Sequence, residues 1–260
     1  MKKHLIPVLL LITAISQAGT EPKPYAMPKT EVIPITDSAT GNQYELYIKL
    51  PENYAENKDT SYPVIYFTDA VWHIEILSAA TAYLMEQAIL VGVSWQKDIS
   101  PTLIETVGPF VSRFRDYSSR PSDNPERQAK FHFGQASTHL DFIRNDVIQY
   151  TEKTYRTDPA NRTYFGYSMG GEFGAYALLT QPDTFKNYIL GSPSLRSADV
   201  TYFTKLAADV AEQNKKRNAR VFISYGTLEQ QAAVHLDAFI DLLKNTQDKS
   251  LLLNPVVLEG

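Results

Sequence analysis

A serine hydroxyl is a useful nucleophile only when one group takes its proton and others stabilise the charge it creates. Gly166-Tyr167-Ser168-Met169-Gly170-Gly171 has the composition for that chemistry. Its G-x-S-x-G spacing lies between a β-leaning run, Thr163 to Tyr167, and a helix-like run, Glu172-Phe173-Gly174-Ala175-Tyr176-Ala177-Leu178-Leu179. A serine on such an elbow is held in strained backbone geometry, and side chains at Gly166 and Gly170 would clash with the adjoining strand and helix. The helix starts at the serine, so the Met169 N–H can point at a developing oxyanion. A glycine-rich turn chosen for close packing has the same pattern. The strand before it and the helix after it favour catalysis, with Ser168 as nucleophile.

The elements that must carry this elbow alternate along the chain. Asn42 to Leu50 places Tyr44, Leu46, Ile48 and Leu50 on one face, the pattern of a half-buried antiparallel strand. Pro63 to Phe67 and Ala88 to Val93 are continuous apolar runs, as in central parallel strands covered on both faces. Gln135 to Tyr155 carries Leu140, Ile143, Val147 and Thr151 at helical spacing. After the elbow come a strand at 187–190, a helix around 198–213, a strand at 219–225, a helix through 233–243 and a strand at 251–258. Strands alternating with helices imply βαβ units and a mostly parallel sheet. Trp95 to Gly134 stands apart, with Pro101, Pro109, Pro121 and Pro125 and no clear period. A structureless loop of that length is expected to be a lid or substrate wall, or else a surface insertion.

Composition bounds the partners. The formal net charge of −4 over 260 residues argues against nucleic acid or anionic membrane. With no cysteine there are no disulfides, thiolate metal sites or thiol catalysis. Residues 1–18 read as a signal peptide: a Met1-Lys2-Lys3-His4 start, an apolar run from Leu5 to Ile15, and Ser16-Gln17-Ala18 as a cleavage site. Without a cysteine after that run no lipoprotein anchor is expected, nor is stable membrane insertion, since no later stretch approaches the length of a membrane helix. Residues 19–260 are expected to form one domain, periplasmic or secreted, with 19–29 as a loose arm.

From about Tyr44 onward the chain resembles the putative-esterase branch of the α/β-hydrolase superfamily. That branch includes trilactone-siderophore, feruloyl and acetyl-xylan esterases, S-formylglutathione hydrolases and mycolyltransferases. The resemblance rests on Pro63-Val64-Ile65-Tyr66-Phe67-Thr68-Asp69, Arg113-Phe114-Arg115-Asp116-Tyr117, the elbow, and Gly191-Ser192-Pro193-Ser194-Leu195. It implies an α/β-hydrolase fold with helices on both faces of the sheet. It also implies hydrolysis of a small-molecule carboxylic ester through an acyl-serine, without metal or organic cofactor. A siderophore-like lactone or small acyl ester is the expected substrate, and acyl transfer is the variant that sequence does not separate from hydrolysis. Oligomeric state is left open.

Matched residue by residue, the resemblance makes Ser168 the nucleophile and requires a carboxylate just after the strand that follows Gly191-Ser192-Pro193. Gly226-Thr227-Leu228-Glu229 offers Glu229 there, against the alternative of a loop or helix-cap glutamate, while Asp237 and Asp241 read as a solvated helix face. The second oxyanion donor falls at the Ala70 backbone, or at Val71, with Asp69 shaping the turn. Arg113, Arg115 and Asp116 either line the substrate mouth or form a structural ion-pair cluster. His132 is a candidate substrate contact. Arg113, Arg115, Arg120, Arg127 and Lys130 would suit an anionic substrate, diluted by Asp116, Asp123 and Glu126. The family's histidine follows the last strand and precedes a C-terminal helix, whereas here Val256-Val257-Leu258 is followed only by Glu259-Gly260. His4, His73, His132, His139 and His235 all lie elsewhere, with His235, or else His132, as the substitute base. The expected explanation is a truncated chain. The alternative is a degenerate hydrolase that binds without turnover.

Overall fold

The computed structural model describes residues 24–212, 217–246 and 248–259, so the expected signal peptide lies outside the described residues. Eight strands form one sheet: β1 (Thr30–Thr36), β2 (Gln43–Lys49), β3 (Tyr62–Phe67), β4 (Ile89–Val93), β5 (Thr157–Tyr167), β6 (Asn187–Gly191), β7 (Arg220–Gly226) and β8 (Leu252–Leu258). Their spatial order is β1-β2-β4-β3-β5-β6-β7-β8. Only the β1–β2 and β2–β4 pairs are antiparallel; β4 through β8 run parallel. β2 buries Tyr44, Leu46 and Ile48 and leaves the alternate residues half-covered, while every residue of β4 is buried. The alternating run and the continuous run thus do what their patterns require.

Helices cover both faces, unequally. On one face α1 (Ala70–Leu84) packs a small cluster around Ile65, Phe67, Ala70, Ile74, Ala88 and Leu90. The opposite face builds the larger core. There α5 (Ala136–Phe142) runs through a π-helical turn, Ile143–Ile148, into α6 (Gln149–Thr154). Beside them lie α7 (Met169–Thr180), α8 (Ser197–Glu212) and α9 (Gln230–Asn245). The helix that opens at the elbow, α7, is buried on nearly every side, including Gly170 to Leu179. Among the described residues no helix is long and apolar enough to cross a membrane.

The 95–134 segment corrects the expectation of a structureless loop. It contains α2 (Pro101–Val107), α3 (Arg113–Asp116) and α4 (Pro125–Phe131), none longer than two turns, so none shows a period. Two of its prolines start helices: Pro101 and Pro125 sit in the first turn, where a missing N–H costs nothing. Phe114, Phe131 and Phe133 gather into one ring cluster, centroids 4.9–6.0 Å apart, which ties α3 to the end of α4 within the segment. Two further elements carry no readable pattern. β1 has mostly exposed residues, and α1 leaves Val71, Trp72, Ile76, Tyr83 and Leu84 exposed, so its apolar residues do not fall on one stripe.

Candidate active site

Ser168 ends β5 and caps α7 with φ 55° and ψ −116°, a left-handed-side conformation that serine adopts only under constraint. Three backbone hydrogen bonds hold it. Its N–H donates to the Gly191 carbonyl at 2.9 Å, and its carbonyl accepts from Glu172 N–H at 3.1 Å and Ser194 N–H at 2.9 Å. The flanking glycines answer to close approach: a Cβ on Gly166 would land on the Gly170 carbonyl, and one on Gly170 would lie 2.5 Å from Thr68 Oγ1. Beneath the turn, the Tyr164 hydroxyl donates to the Gly170 carbonyl at 2.7 Å and sits 3.2 Å from Thr68 Oγ1. Burial pushes that phenol far above its ordinary pKa, so it remains a donor.

The N-terminus of α1 meets this elbow. Asp69, left-handed at φ 57°, precedes Ala70, and a Cβ on Gly170 would lie 3.7 Å from Asp69 Oδ2. Among the described residues the N–H groups of Met169, Ala70 and Val71 have no hydrogen-bond acceptor, as expected of first-turn amides. Two helix starts therefore direct unpaired donors to one end of the sheet.

Glu229 follows β7 and begins α9. Its Oε1 accepts from Ser192 Oγ at 2.7 Å and from Gly226 N–H at 2.9 Å. Ser192, at φ 40°, directly follows Gly191, whose carbonyl holds the Ser168 amide. The carboxylate is thus fixed one strand away from the nucleophile. The end of β8 is its neighbour, since Thr227 N–H donates to the Leu258 carbonyl at 2.8 Å. Asp237 accepts a hydrogen bond from the Tyr225 hydroxyl, and Asp241 pairs with Lys244 on the surface.

No histidine among the described residues hydrogen-bonds Ser168 or Glu229. Nδ1 of His73 is 3.0 Å from the Thr68 carbonyl. His139 is buried against Tyr44, Tyr117, Phe142 and Phe173, and burial lowers its pKa. His132 closes α4 and, with Arg115, lines a separate cavity of about 210 Å³. His235 lies half-buried on α9.

A cavity of about 240 Å³ adjoins the elbow, walled by Met169, Glu172 and Ser194 and roofed by the 95–134 segment through Phe114, Arg120 and Phe133. Arg113, Arg115 and His132 do not line it. Arg113 is turned to the buried carboxylate of Asp69, and Arg115 to Asp116 at 2.7 Å and the Tyr44 hydroxyl at 3.0 Å. The cationic groups on this cavity are Arg120, Arg127 and Arg196. Arg120 is engaged by Asp199 at 2.7 Å and Asp123 at 3.1 Å. Arg127 lies over the Phe133 ring, Arg196 donates its backbone N–H to the Asp199 carboxylate at 2.9 Å, and among the described residues neither guanidinium forms a salt bridge within 4 Å. Glu172 forms part of the wall, only 6 % exposed. Its Oε1 accepts from Ser119 N–H at 3.0 Å and Ser119 Oγ at 3.1 Å, and burial raises its pKa to about 7. Arg196 and Glu172 were not among the sequence-level candidates. For Glu172 a signal existed, a lone carboxylate at the head of an apolar helix. Among the described residues no group of three or more His, Cys, Asp or Glu side chains could hold a metal.

A family model described as "Putative esterase" matches residues 38–252. Ferri-bacillibactin esterase BesA of Bacillus subtilis (strain 168) is 28 % identical over 222 residues, spanning 79 % of this chain and 73 % of the relative. The siderophore triacetylfusarinine C esterase of Aspergillus fumigatus is 24 % identical over 241 residues, 86 % of this chain and 76 % of the relative. Among solved structures, BES protein from Bacillus cereus superposes with a TM-score of 0.75 at 23 % identity, covering 92 % of each chain. Siderophore hydrolase EstB from Aspergillus nidulans gives 0.73 at 20 % identity, covering 93 % of this chain and 91 % of that one. At these identities the two structures speak to the fold.

Proposed function

The chain belongs to the putative-esterase family, and from that premise we propose that it is a serine esterase acting through an acyl-serine intermediate. The constrained backbone of Ser168 carries this reading. A fold does not hold a non-glycine residue at φ 55° between two obligatory glycines without return, and strain of that kind clusters at reacting groups. Ser168 Oγ attacks the ester carbonyl, and its proton passes to a base. The carbonyl oxygen, now anionic, is met by the Met169 and Ala70 N–H groups. Collapse of the tetrahedral intermediate expels the protonated alcohol and leaves the acyl-serine, which water then cleaves by the same route. Glu229, held by Ser192 and Gly226, orients that base and stabilises its protonated form.

The substrate is an ester with aromatic or anionic character, of the siderophore lactone type. Support comes from the two relatives that act on siderophores, and from a cavity that joins Phe114 and Phe133 to the guanidinium groups of Arg127 and Arg196. Small acyl esters would occupy the same space. The signal-peptide pattern of residues 1–18 supports a reaction in the periplasm or outside the cell.

A second reading, a binding module without turnover, is favoured by one observation: no described histidine contacts Ser168 or Glu229. Fluorophosphonate labelling and p-nitrophenyl butyrate hydrolysis, each with and without added imidazole as a free base, separate the two. Labelling at Ser168 that disappears in Ser168→Ala supports the esterase. A folded protein that neither labels nor turns over under either condition is a binding module.

A further inference from the structure

Asp69 is a non-glycine residue in the left-handed region and the residue directly before the proposed oxyanion donor Ala70. Its side chain does not make the usual cap bond back to its own helix. The carboxylate is instead fully buried and turned to the 95–134 segment. Oδ1 accepts from Trp95 Nε1 at 2.6 Å, and Oδ2 accepts from Arg113 Nη2 at 3.0 Å. Arg113 Nε lies 2.6 Å from Oδ1, in ion-pair contact but off the hydrogen-bonding angle. The guanidinium is itself clamped, 4.8 Å from the Trp72 ring centre and 5.6 Å from that of Tyr117. The Tyr117 hydroxyl closes the arrangement by accepting from Asp69 N–H at 3.3 Å.

We propose that Arg113 is a positioning residue for catalysis: through Asp69 it locks the left-handed turn that aims the Ala70 N–H, and it cancels a buried negative charge beside the site of oxyanion formation. The inference rests on the esterase reading above. Two physical requirements meet in this pair. A non-glycine residue persists in the left-handed region only when its surroundings over-determine it, and Asp69 has contacts from Trp95, Arg113 and Tyr117 to do so. A bare carboxylate close to a developing oxyanion would also oppose it, strongly so away from water. A cation facing Asp69 offsets that repulsion, and Arg113 is the cation there. The arginine thus acts one residue removed from the chemistry and does not touch substrate.

The test is the kinetics of Arg113→Gln, Arg113→Lys and Asp69→Asn in the full chain, with p-nitrophenyl butyrate under whichever imidazole condition the parent turns over. Melting temperatures are measured alongside. Arg113→Gln is expected to lower kcat by about 10²-fold, approaching the loss of one oxyanion donor, with KM changed less than about threefold. Arg113→Lys keeps the charge but not the fork and should recover part of that loss. Adding Asp69→Asn to Arg113→Gln should also restore part of kcat, because the repulsive charge is gone. A rise in KM with kcat unchanged would make Arg113 a substrate contact and overturn the proposal. So would unchanged kinetics, or a Lys variant as poor as Gln. Should Arg113→Gln fail to fold, Arg113→Lys and Asp69→Asn carry the same comparison. A parent that neither hydrolyses nor labels overturns the nucleophile reading and this one together; an active parent indifferent to Arg113 overturns this one alone.

Discussion

At the scale of single residues, the proposed nucleophile Ser168 sits in a constrained left-handed backbone, while the proposed acid Glu229 is part-buried at the end of a strand. Glu229 receives a hydroxyl and an amide on one oxygen, which leaves its other oxygen free to orient a base. Glu229→Gln keeps the shape and removes the charge, so ester hydrolysis is expected to fall by about 10²–10⁴ in kcat, less than in Ser168→Ala. If Glu229→Gln were silent and Asp237→Asn crippling, the acid would have to be moved to α9. Gly170 is tested by volume. A methyl there lies 2.5 Å from Thr68 Oγ1, so Gly170→Ala should cost about 1–3 kcal/mol in urea unfolding and should depress labelling of Ser168 further than stability alone explains. Ser168, Met169 and Glu229 could be nominated from the sequence because their signals are local: an elbow motif, the amide after it, and a carboxylate one turn beyond a strand. Asp69 was read as a turn residue and Arg113 as an ion-pair candidate, but their pairing was not legible, because a sequence shows that an arginine exists but not which carboxylate, dozens of positions away, it faces.

At the scale of elements, α7 links the Ser168 turn to the roof of the cavity. Its first turn holds Ser168 through Glu172 N–H, and the Glu172 carboxylate holds Ser119 in the 95–134 segment. That carboxylate is buried, with its pKa raised from 4.5 to about 7, chiefly by desolvation and secondarily offset by the Ser119 bonds. Between those pH values the folded protein binds a proton that the unfolded chain does not, so stability falls as pH rises through this window. Above it the folded state carries the full penalty, on the order of 3 kcal/mol. Glu172→Gln should therefore raise the melting temperature at pH 8 and leave it nearly unchanged at pH 4.5; a gain independent of pH would refute the assignment. Helix starts and central strands were readable here from period and continuity. The short helices of 95–134 were not, since a two-turn helix repeats nothing, and the π-helical turn at Ile143–Ile148 leaves the spacing of Leu140, Ile143 and Val147 looking like ordinary helix.

At the scale of the whole molecule, the two faces of the sheet are unequal in depth. Phe239 belongs to the large core and meets Phe203 across the α8–α9 contact at 5.6 Å, while Ile74 belongs to the small cluster under α1. Phe239→Ala is expected to cost about 3–5 kcal/mol, as a large cavity in a well-packed region, and Ile74→Ala less, because α1 already borders solvent and can settle inward. Chemical denaturation of both variants checks the ranking. The strand order also bears on how the molecule assembles. From β5 to β8 each strand pairs with the next in the chain, so that half can grow by adding one short unit at a time. β3 instead pairs with β5, Phe67 against Phe165, and closing that gap of roughly a hundred residues is an entropic toll met before any contact repays it. Refolding should thus proceed from the carboxyl-terminal half, with amides of β5 to β7 protected from hydrogen exchange before those of β3 and β4. The serine turn would then exist in the folding chain before its partner turn at Asp69 docks against it, and reactivity would appear only with that last closure.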